Sequence, residues 1–521
     1  MLNVLSSDRL TRGLRLFTII NMDQQNNQKP VKSWKFPLSA VWVLSTIIFC
    51  AMFTVTLAPR AQAQSRGQDP SGEYTSVIRN VFDFIQRHYI EEIEPKLLFE
   101  GAMTGMFNSL GDPYSVFLPE SEMKDLNDTT QGSFGGVGLY VTKPNTLRSD
   151  GKPGFLEVAA PIEDTPGWRA GLNPGDLIVL IDGESTDILS SDEAVARLRG
   201  RPGTEVKLLI RRGERVEFPV TLTRAIIEVP TVKHEMIGNL GYLKLLTFTP
   251  MTLDRSREAI DDFQAKGYRG VILDLRNNYG GLLNSAVGVS NLFFEGGIVV
   301  STKSRIVTEN QVFYARGKAA VSADIPVVVL INRGSASASE IVAGALKDRG
   351  RAYLVGEKTY GKGSVQQVYP LDKAGFKITT ARYYTPSDVN IDKIGIPPDL
   401  EVLFPEFTEA DAEQLNALFN SGRITDYVKA NPNAVSSELD SFARVLSGDY
   451  GLDSALLKRL IRNEQNRTTI APVYDLEYDV QLQEAVRILR EGNFRALMQT
   501  TKTLKALQEE AMEEEQFPLA S

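Results

Sequence analysis

The sequence predicts a multidomain α/β protein. Its 521 residues exceed the roughly 100–200 of one domain, so three or four units are expected. Strand-like and helix-like runs alternate from Ile226 to Pro405, the pattern of an α/β unit. Residues 133–224 carry short β-like runs, and the chain beyond 407 is almost continuously helical.

Residues 1–65 read as a tail and an anchor. Arg9, Arg12, Arg15, Lys29, Lys32 and Lys35 precede an uncharged stretch from Phe36 to Ala58, and about 20 apolar residues span a bilayer. Ala61-Gln62-Ala63 follows as a cleavage-like site. The basic flank predicts a cytoplasmic tail, with the rest of the chain exported and membrane-associated. Residues 66–132 form a helical region. Val77, Ile78, Val81, Phe82 and Ile85 recur at helical spacing, a second helix starts near Pro95, and "GDPYS" (111–115) punctuates.

In residues 133–224 the glycine-rich "GSFGGVGLYV" leads into the strand candidates "FLEVAA", "LIVLIDG", "EVKLLIRR" and "VEFPVTLTR". One helix, "SSDEAVARLRG", has Ser191 placed to cap it. Residues 225–405 alternate: strands "LGYLKLLTFT", "GVILDL" and "IPVVVLI" are followed by helices "TLDRSREAIDDFQAKG", "LLNSAVGVSNLFF" and "SEIVAGALKD". Three further strands follow, and residues 406–521 are helical.

Composition narrows the chemistry. Hydrophobic content of 42% and charged content of 23% fit a globular chain. A net charge of −8 gives no basic footprint for nucleic acid. The single cysteine, Cys50, excludes a disulfide framework and a cysteine metal site. With two isolated histidines, His88 and His234, no metal and no other cofactor are expected.

"NRGSASASEIVAGALKD" (332–348) follows a β-branched run and opens a helix. Ser337 and Glu340 have the spacing of a capping box, so Ser337 serves equally as a helix cap. The same geometry suits a nucleophile, since free amides at a helix start, including that of Ala338, stabilise an oxyanion. Ser339 lies one step into the helix, which leaves Ser335 and Ser337. With histidine scarce, lysine is the next base to consider, because a desolvated amine accepts a serine proton. Lys362, between glycines in "TYGKGSVQQVYP", is the outstanding one, though a loop lysine at a turn has the same pattern. "VILDLRNNYGGLLNSA" places Gly280 and Gly281 at a helix start, where paired glycines expose amides or simply make a tight turn.

The three stretches together, in this order, resemble the C-terminal processing peptidases, or tail-specific proteases: "DLRxNxGG", then "SASASE", then "GKGxVQ". The likeness runs from about Tyr74 to Pro405. It implies a crotonase/ClpP-like α/β core with Ser337 as nucleophile, Lys362 as base and Gln366 as the base's support. It also implies an oxyanion donor at Gly280 or Gly281 beside Ala338. Residues 133–224 are similar to a PDZ domain through "AGLNPGDLIVLIDG". That likeness implies that Gly136, Val137, Gly138 and Leu139 capture a terminal carboxylate. The resemblance thus implies a bacterial envelope serine endopeptidase acting on proteins with apolar C-terminal tails. It would be anchored in the inner membrane with its catalytic part in the periplasm, or periplasmic after cleavage near Ala63. Helices at both ends suggest a homodimer. Two rivals stand beside this. A membrane-anchored PDZ scaffold on an inactive core would keep the motifs without activity. A Ser-His-Asp protease would need a histidine near the serines, and neither His88 nor His234 is near them in sequence.

Overall fold

A computed structural model of the chain describes residues 70–143, 153–213, 215–404, 408–466 and 472–516. The stretch Phe36–Ala58 and the site at Ala63 lie outside the described residues. Among the described residues no helix is long and apolar enough to cross a membrane. Two compact units divide the chain at Pro95. The first contributes one described amphipathic helix, Pro70–His88.

The second unit is built on a six-stranded sheet in the spatial order 232–237, 240–245, 270–274, 327–331, 353–356, 400–401. The first pair is antiparallel and every later pair parallel. Its central strands 270–274 and 327–331 are buried at every position, and apolar at all but Asp274, because both faces are covered. Val271, Leu273, Val327, Val329 and Ile331 pack with residues of the helices Thr252–Ala265, Leu283–Ser290 and Ala338–Asp348. Their alternate neighbours Ile272, Val328 and Leu330 pack with Leu482, Ala485, Val486 and Ile488 of the helix Val480–Arg490. The C-terminal helical region therefore supplies the second cover of the sheet, while residues 409–466 build a separate apolar cluster around Leu439, Leu446 and Leu457.

A second sheet has the order 116–118, 374–384, 298–304, 311–314, with 364–371 pairing to 374–384. Residues 139–223 form a third, antiparallel sheet in the order 139–142, 156–161, 177–181, 205–212, 216–223. Its strand Glu205–Arg212 buries Val206, Leu208 and Ile210, the period of two expected of a half-buried strand. The cap of its helix Ser191–Leu198 is Ser190, one residue before the expected Ser191. Ser190 donates its amide to Glu193 Oε2 at 2.8 Å and its Oγ accepts Glu193 N–H at 3.2 Å, a complete capping box. The strands 116–118, 225–228, 232–237, 298–304 and 311–314 have no counterpart among the sequence-based strands. All five are short or polar-rich.

A buried charge cluster ties the C-terminal region to the end of the core strand 270–274. The Arg276 guanidinium donates to Asp274 Oδ1 and Oδ2 at 3.0 and 2.7 Å, and to Asp479 Oδ1 and Oδ2 at 2.7 and 2.6 Å. Tyr242 adds its hydroxyl to Asp274 Oδ2 at 2.6 Å. Burial alone would raise the Asp274 carboxyl, but the Arg276 charge and hydrogen bonds outweigh it and hold the carboxyl at about 2. Asp274 therefore stabilises the fold above its unfolded range near 3.8, and that stability is lost as pH falls toward 2. Arg276→Leu should cost about 3–5 kcal/mol at neutral pH, because it strands a buried carboxylate. The variant's deficit should shrink in mild acid, because without Arg276 burial raises the Asp274 carboxyl and the variant takes up the proton that the unmodified protein refuses. Calorimetry of both proteins at pH 7 and pH 4 checks it.

Candidate active site

Three adjacent parallel strands end on the same edge of the core sheet, and the loop after each carries one of the three sequence motifs. Strand 270–274 leads to Gly280 and Gly281, strand 327–331 to Ser337, and strand 353–356 to Lys362. The carboxyl edge of a parallel sheet is where α/β proteins place their sites.

Ser337 precedes the helix Ala338–Asp348 with φ 55° and ψ −112°, a conformation rare for any residue but glycine. A strained strand-to-helix turn of this kind projects a side chain away from both elements. The expected capping box is half realised. The Ser337 amide donates to Glu340 Oε2 at 2.8 Å, but Ser337 Oγ makes no cap hydrogen bond. It lies instead 3.4 Å from the Tyr383 hydroxyl.

The neighbouring serines are fully buried and already engaged. Ser335 Oγ donates to Leu275 O at 2.8 Å and accepts Asn332 N–H at 3.0 Å. Ser339 Oγ donates to Asn278 O at 2.8 Å. Both staple the serine turn to the loop after strand 270–274.

Gly280 packs directly under the turn. A Cβ there would lie 2.8 Å from Ser337 Cβ and 2.9 Å from Ala338 N, so only glycine permits this approach. The Gly280 amide, however, donates to Asn278 Oδ1 at 2.9 Å. The amides of Gly281 and Ala338 have no hydrogen-bond partner among the described residues, which favours Gly281 as the free donor of the pair.

Lys362 is half-buried. Its ammonium sits 4.5 Å over the Tyr114 ring, and no hydrogen bond joins it to Ser337 among the described residues. Burial pushes the amine below the usual lysine range and nearby Lys377 adds to this, while the carboxylates of Asp112 and Glu340 oppose it. No hydrogen bond joins Gln366 to Lys362 among the described residues. Its Nε2 donates to Ser364 Oγ at 2.9 Å and Thr379 Oγ1 at 3.3 Å. Thr379 Oγ1 in turn donates to Asp112 Oδ2 at 2.6 Å.

Two groups of this site escaped the sequence reading. Glu340, read only as a cap, is a fully buried hub. Besides the Ser337 amide it accepts Thr359 Oγ1 at 2.6 Å, Gly361 N–H at 2.7 Å and Lys362 N–H at 2.9 Å, so one carboxylate joins the serine turn to the lysine loop. Burial pushes its carboxyl up, and these hydrogen bonds pull it back. The "GDPYS" turn, read as punctuation, supplies Asp112 and Tyr114 to the lysine. The spacing of Ser337 and Glu340 was the one available signal for the first; nothing local signals the second. His234 lies on the edge strand 232–237, three places across the sheet from the strand that delivers Ser337. It pairs with Asp262 at 3.5 Å.

Beside the third sheet, Gly136 ends the strand Ser133–Gly136, which pairs with the strand Ala225–Glu228 in a separate two-stranded sheet, Gly136 opposite Ala225. Val137 and Gly138 follow, and Leu139 opens the third sheet's edge strand Leu139–Thr142. Gly167 N–H donates to Val137 O at 2.8 Å and Ile162 N–H to Gly138 O at 2.9 Å, while the amides of Val137 and Gly138 have no partner among the described residues. A Cβ on Gly138, whose φ is 73°, would meet Thr165 Cβ at 2.2 Å. An open edge strand preceded by free amides is what strand addition to a sheet requires.

Residues 239–402 match the model of peptidase family S41, residues 157–212 that of a PDZ domain, and residues 51–122 that of the activating protease CtpB N-terminal domain. The core is thus a serine peptidase core carrying a PDZ domain. Over 333 residues the chain is 41% identical to the carboxy-terminal-processing protease of Bartonella bacilliformis, covering 63% of this chain and 74% of that one. It is 40% identical over 318 residues to the carboxyl-terminal-processing protease of Synechocystis, covering 60% and 72%. With the carboxy-terminal processing protease CtpA of Bacillus subtilis it shares 31% over 390 residues, covering 74% and 82%. The chain belongs to the family of carboxy-terminal-processing serine proteases.

Proposed function

We propose that the protein is an exported endopeptidase with a Ser337/Lys362 dyad, which cleaves proteins at or near C-terminal tails captured by its PDZ domain. One observation carries the reading: Ser337 occupies a strained turn packed on Gly280, the next amides along both segments, those of Gly281 and Ala338, have no hydrogen-bond partner among the described residues, and Glu340 binds that turn to the loop of a half-buried lysine. In the reaction, neutral Lys362 turns from the Tyr114 ring and takes the Ser337 proton. Oγ attacks the scissile carbonyl carbon, and the Gly281 and Ala338 amides hold the oxyanion. Collapse breaks the C–N bond as Lys362 returns the proton to the leaving amine. Water then attacks the acyl ester, Lys362 takes its proton, and Ser337 Oγ recovers one as it leaves. Gln366, through Thr379 and Asp112, positions the wall that receives the ammonium.

The basic flank and apolar run at 36–58 support an inner-membrane anchor with the catalytic part in the periplasm, and the terminal helices support a homodimer. Membrane fractionation and light scattering test these two points.

The tail-reading step makes a separate prediction. The amides of Val137 and Gly138 donate to the substrate's terminal carboxylate, and the strand from Leu139 pairs with its tail. Charge-assisted hydrogen bonds are worth roughly 1.5–3 kcal/mol, so amidating the tail should cut cleavage efficiency by about tenfold or more. Mass spectrometry of products from one unfolded substrate, with free and with amidated C-terminus, measures it. Equal cleavage of the two forms would remove tail recognition from the reading.

A further inference from the structure

We infer that the Tyr383 hydroxyl is a third catalytic group, a fixed hydrogen-bond donor to Ser337 Oγ that stabilises the serine as it loses its proton. The inference rests on Ser337 being the nucleophile.

Tyr383 OH, at 3.4 Å, is the one hydrogen-bond neighbour of Ser337 Oγ among the described residues. Such contacts are commonly long before substrate binds. Tyr383 is held by its backbone and by its ring. Tyr383 N–H donates to Gly363 O at 2.7 Å, next to Lys362, and Asn390 Nδ2 donates to Tyr383 O at 2.8 Å. The ring is buried in the main core cluster with Val389, Ile391 and Ile396. A hydroxyl so fixed needs no reorganisation when charge appears on its neighbour. Burial pushes the phenol above its usual range, so it stays neutral and keeps its one proton to share.

Direction follows from the chemistry. A tyrosine has a single O–H, and so has the serine. If Ser337 donated to Tyr383, its proton would point away from the base. Once Ser337 gives its proton to Lys362, Oγ can only accept, and Tyr383 is the donor in place. Tyr383 transfers nothing. It holds its proton through acylation and again when Ser337 departs from the acyl ester.

The test uses the full-length enzyme with Tyr383→Phe, which keeps the ring and removes the hydroxyl. A fluorophosphonate probe, which reacts with the serine and needs no tail recognition, should phosphonylate the variant about 100–1000-fold more slowly, the scale of one lost transition-state donor. With a peptide substrate kcat should fall by a similar factor while KM stays within about twofold. Phosphonylation within about twofold of the unmodified enzyme would overturn the inference. So would loss confined to KM. Should the phenylalanine variant fold poorly, fluorotyrosine at 383 keeps shape and hydroxyl while making a stronger donor. The acylation rate should then change with phenol acidity, and a flat response overturns the inference. Ser337→Ala, measured alongside, separates the two levels: activity surviving there refutes the nucleophile itself, whereas an inactive Ser337→Ala with a normal Tyr383→Phe refutes only the tyrosine.

Discussion

Ser337→Ala is expected to abolish peptide hydrolysis, with a loss on the order of 10⁶-fold, the scale seen when a serine peptidase loses its nucleophile. The fold should be unaffected. Ser337 Oγ caps no helix amide, and alanine occupies the same φ of 55° with the same strain as serine. Ser335→Ala and Ser339→Ala should behave in the opposite way. Each removes a buried hydroxyl that holds the serine turn to the loop at 275–278, at about 1–3 kcal/mol for the groups left unsatisfied. Measurable hydrolysis should persist, with a lowered thermal transition. An inactive Ser335→Ala beside an active Ser337→Ala would show that the nucleophile is Ser335 and not Ser337.

The contrast among these serines shows what the sequence could and could not say. Strand–helix alternation located the core strands 240–245, 270–274 and 327–331 because both of their faces are mostly apolar, with Lys244 and Asp274 as the exceptions. The covering of one face by Leu482, Ala485 and Val486 was not legible, since an amphipathic helix in a helical tail does not name the surface it packs on. The motifs marked Ser337, Lys362 and the glycine pair. Which glycine keeps a free amide depends on Asn278, and that is a matter of loop geometry. Gln366 shows the same limit: its position in the motif was plain, but its contacts are with Ser364 and Thr379. Contacts made across long separations, Asp112 with Thr379 or Arg276 with Asp479, leave no periodic trace in the chain.

Lys362 gives the second large effect. Lys362→Ala removes the base, and Lys362→Arg replaces it with a guanidinium that stays protonated and cannot accept a proton. Both should be inactive, and a fully active arginine variant would rule out the dyad. The alanine variant should not owe its inactivity to unfolding. A lysine whose folded pKa is lowered opposes the fold while it is charged, and that penalty fades as pH rises through the folded pKa. Replacing it by alanine at neutral pH therefore removes an unfavourable charge. In the intact enzyme the neutral amine is the working form, so activity should rise with pH through the lowered pKa. The electrostatics around Lys362 set where that rise falls. Burial lowers the pKa most, Lys377 lowers it further, and Asp112 and Glu340 raise it. Lys377→Gln removes one repelling cation without touching Ser337, Lys362 or Glu340. The ammonium becomes easier to keep, and the ascending limb of the pH–rate profile should move to higher pH. Asp112→Asn removes an attracting carboxylate, and the limb should move to lower pH. Profiles of kcat/KM for the two variants, recorded on one substrate, supply the check. Shifts of opposite sign identify Lys362 as the titrating base, whereas a limb unmoved by both substitutions would assign the titration to another group.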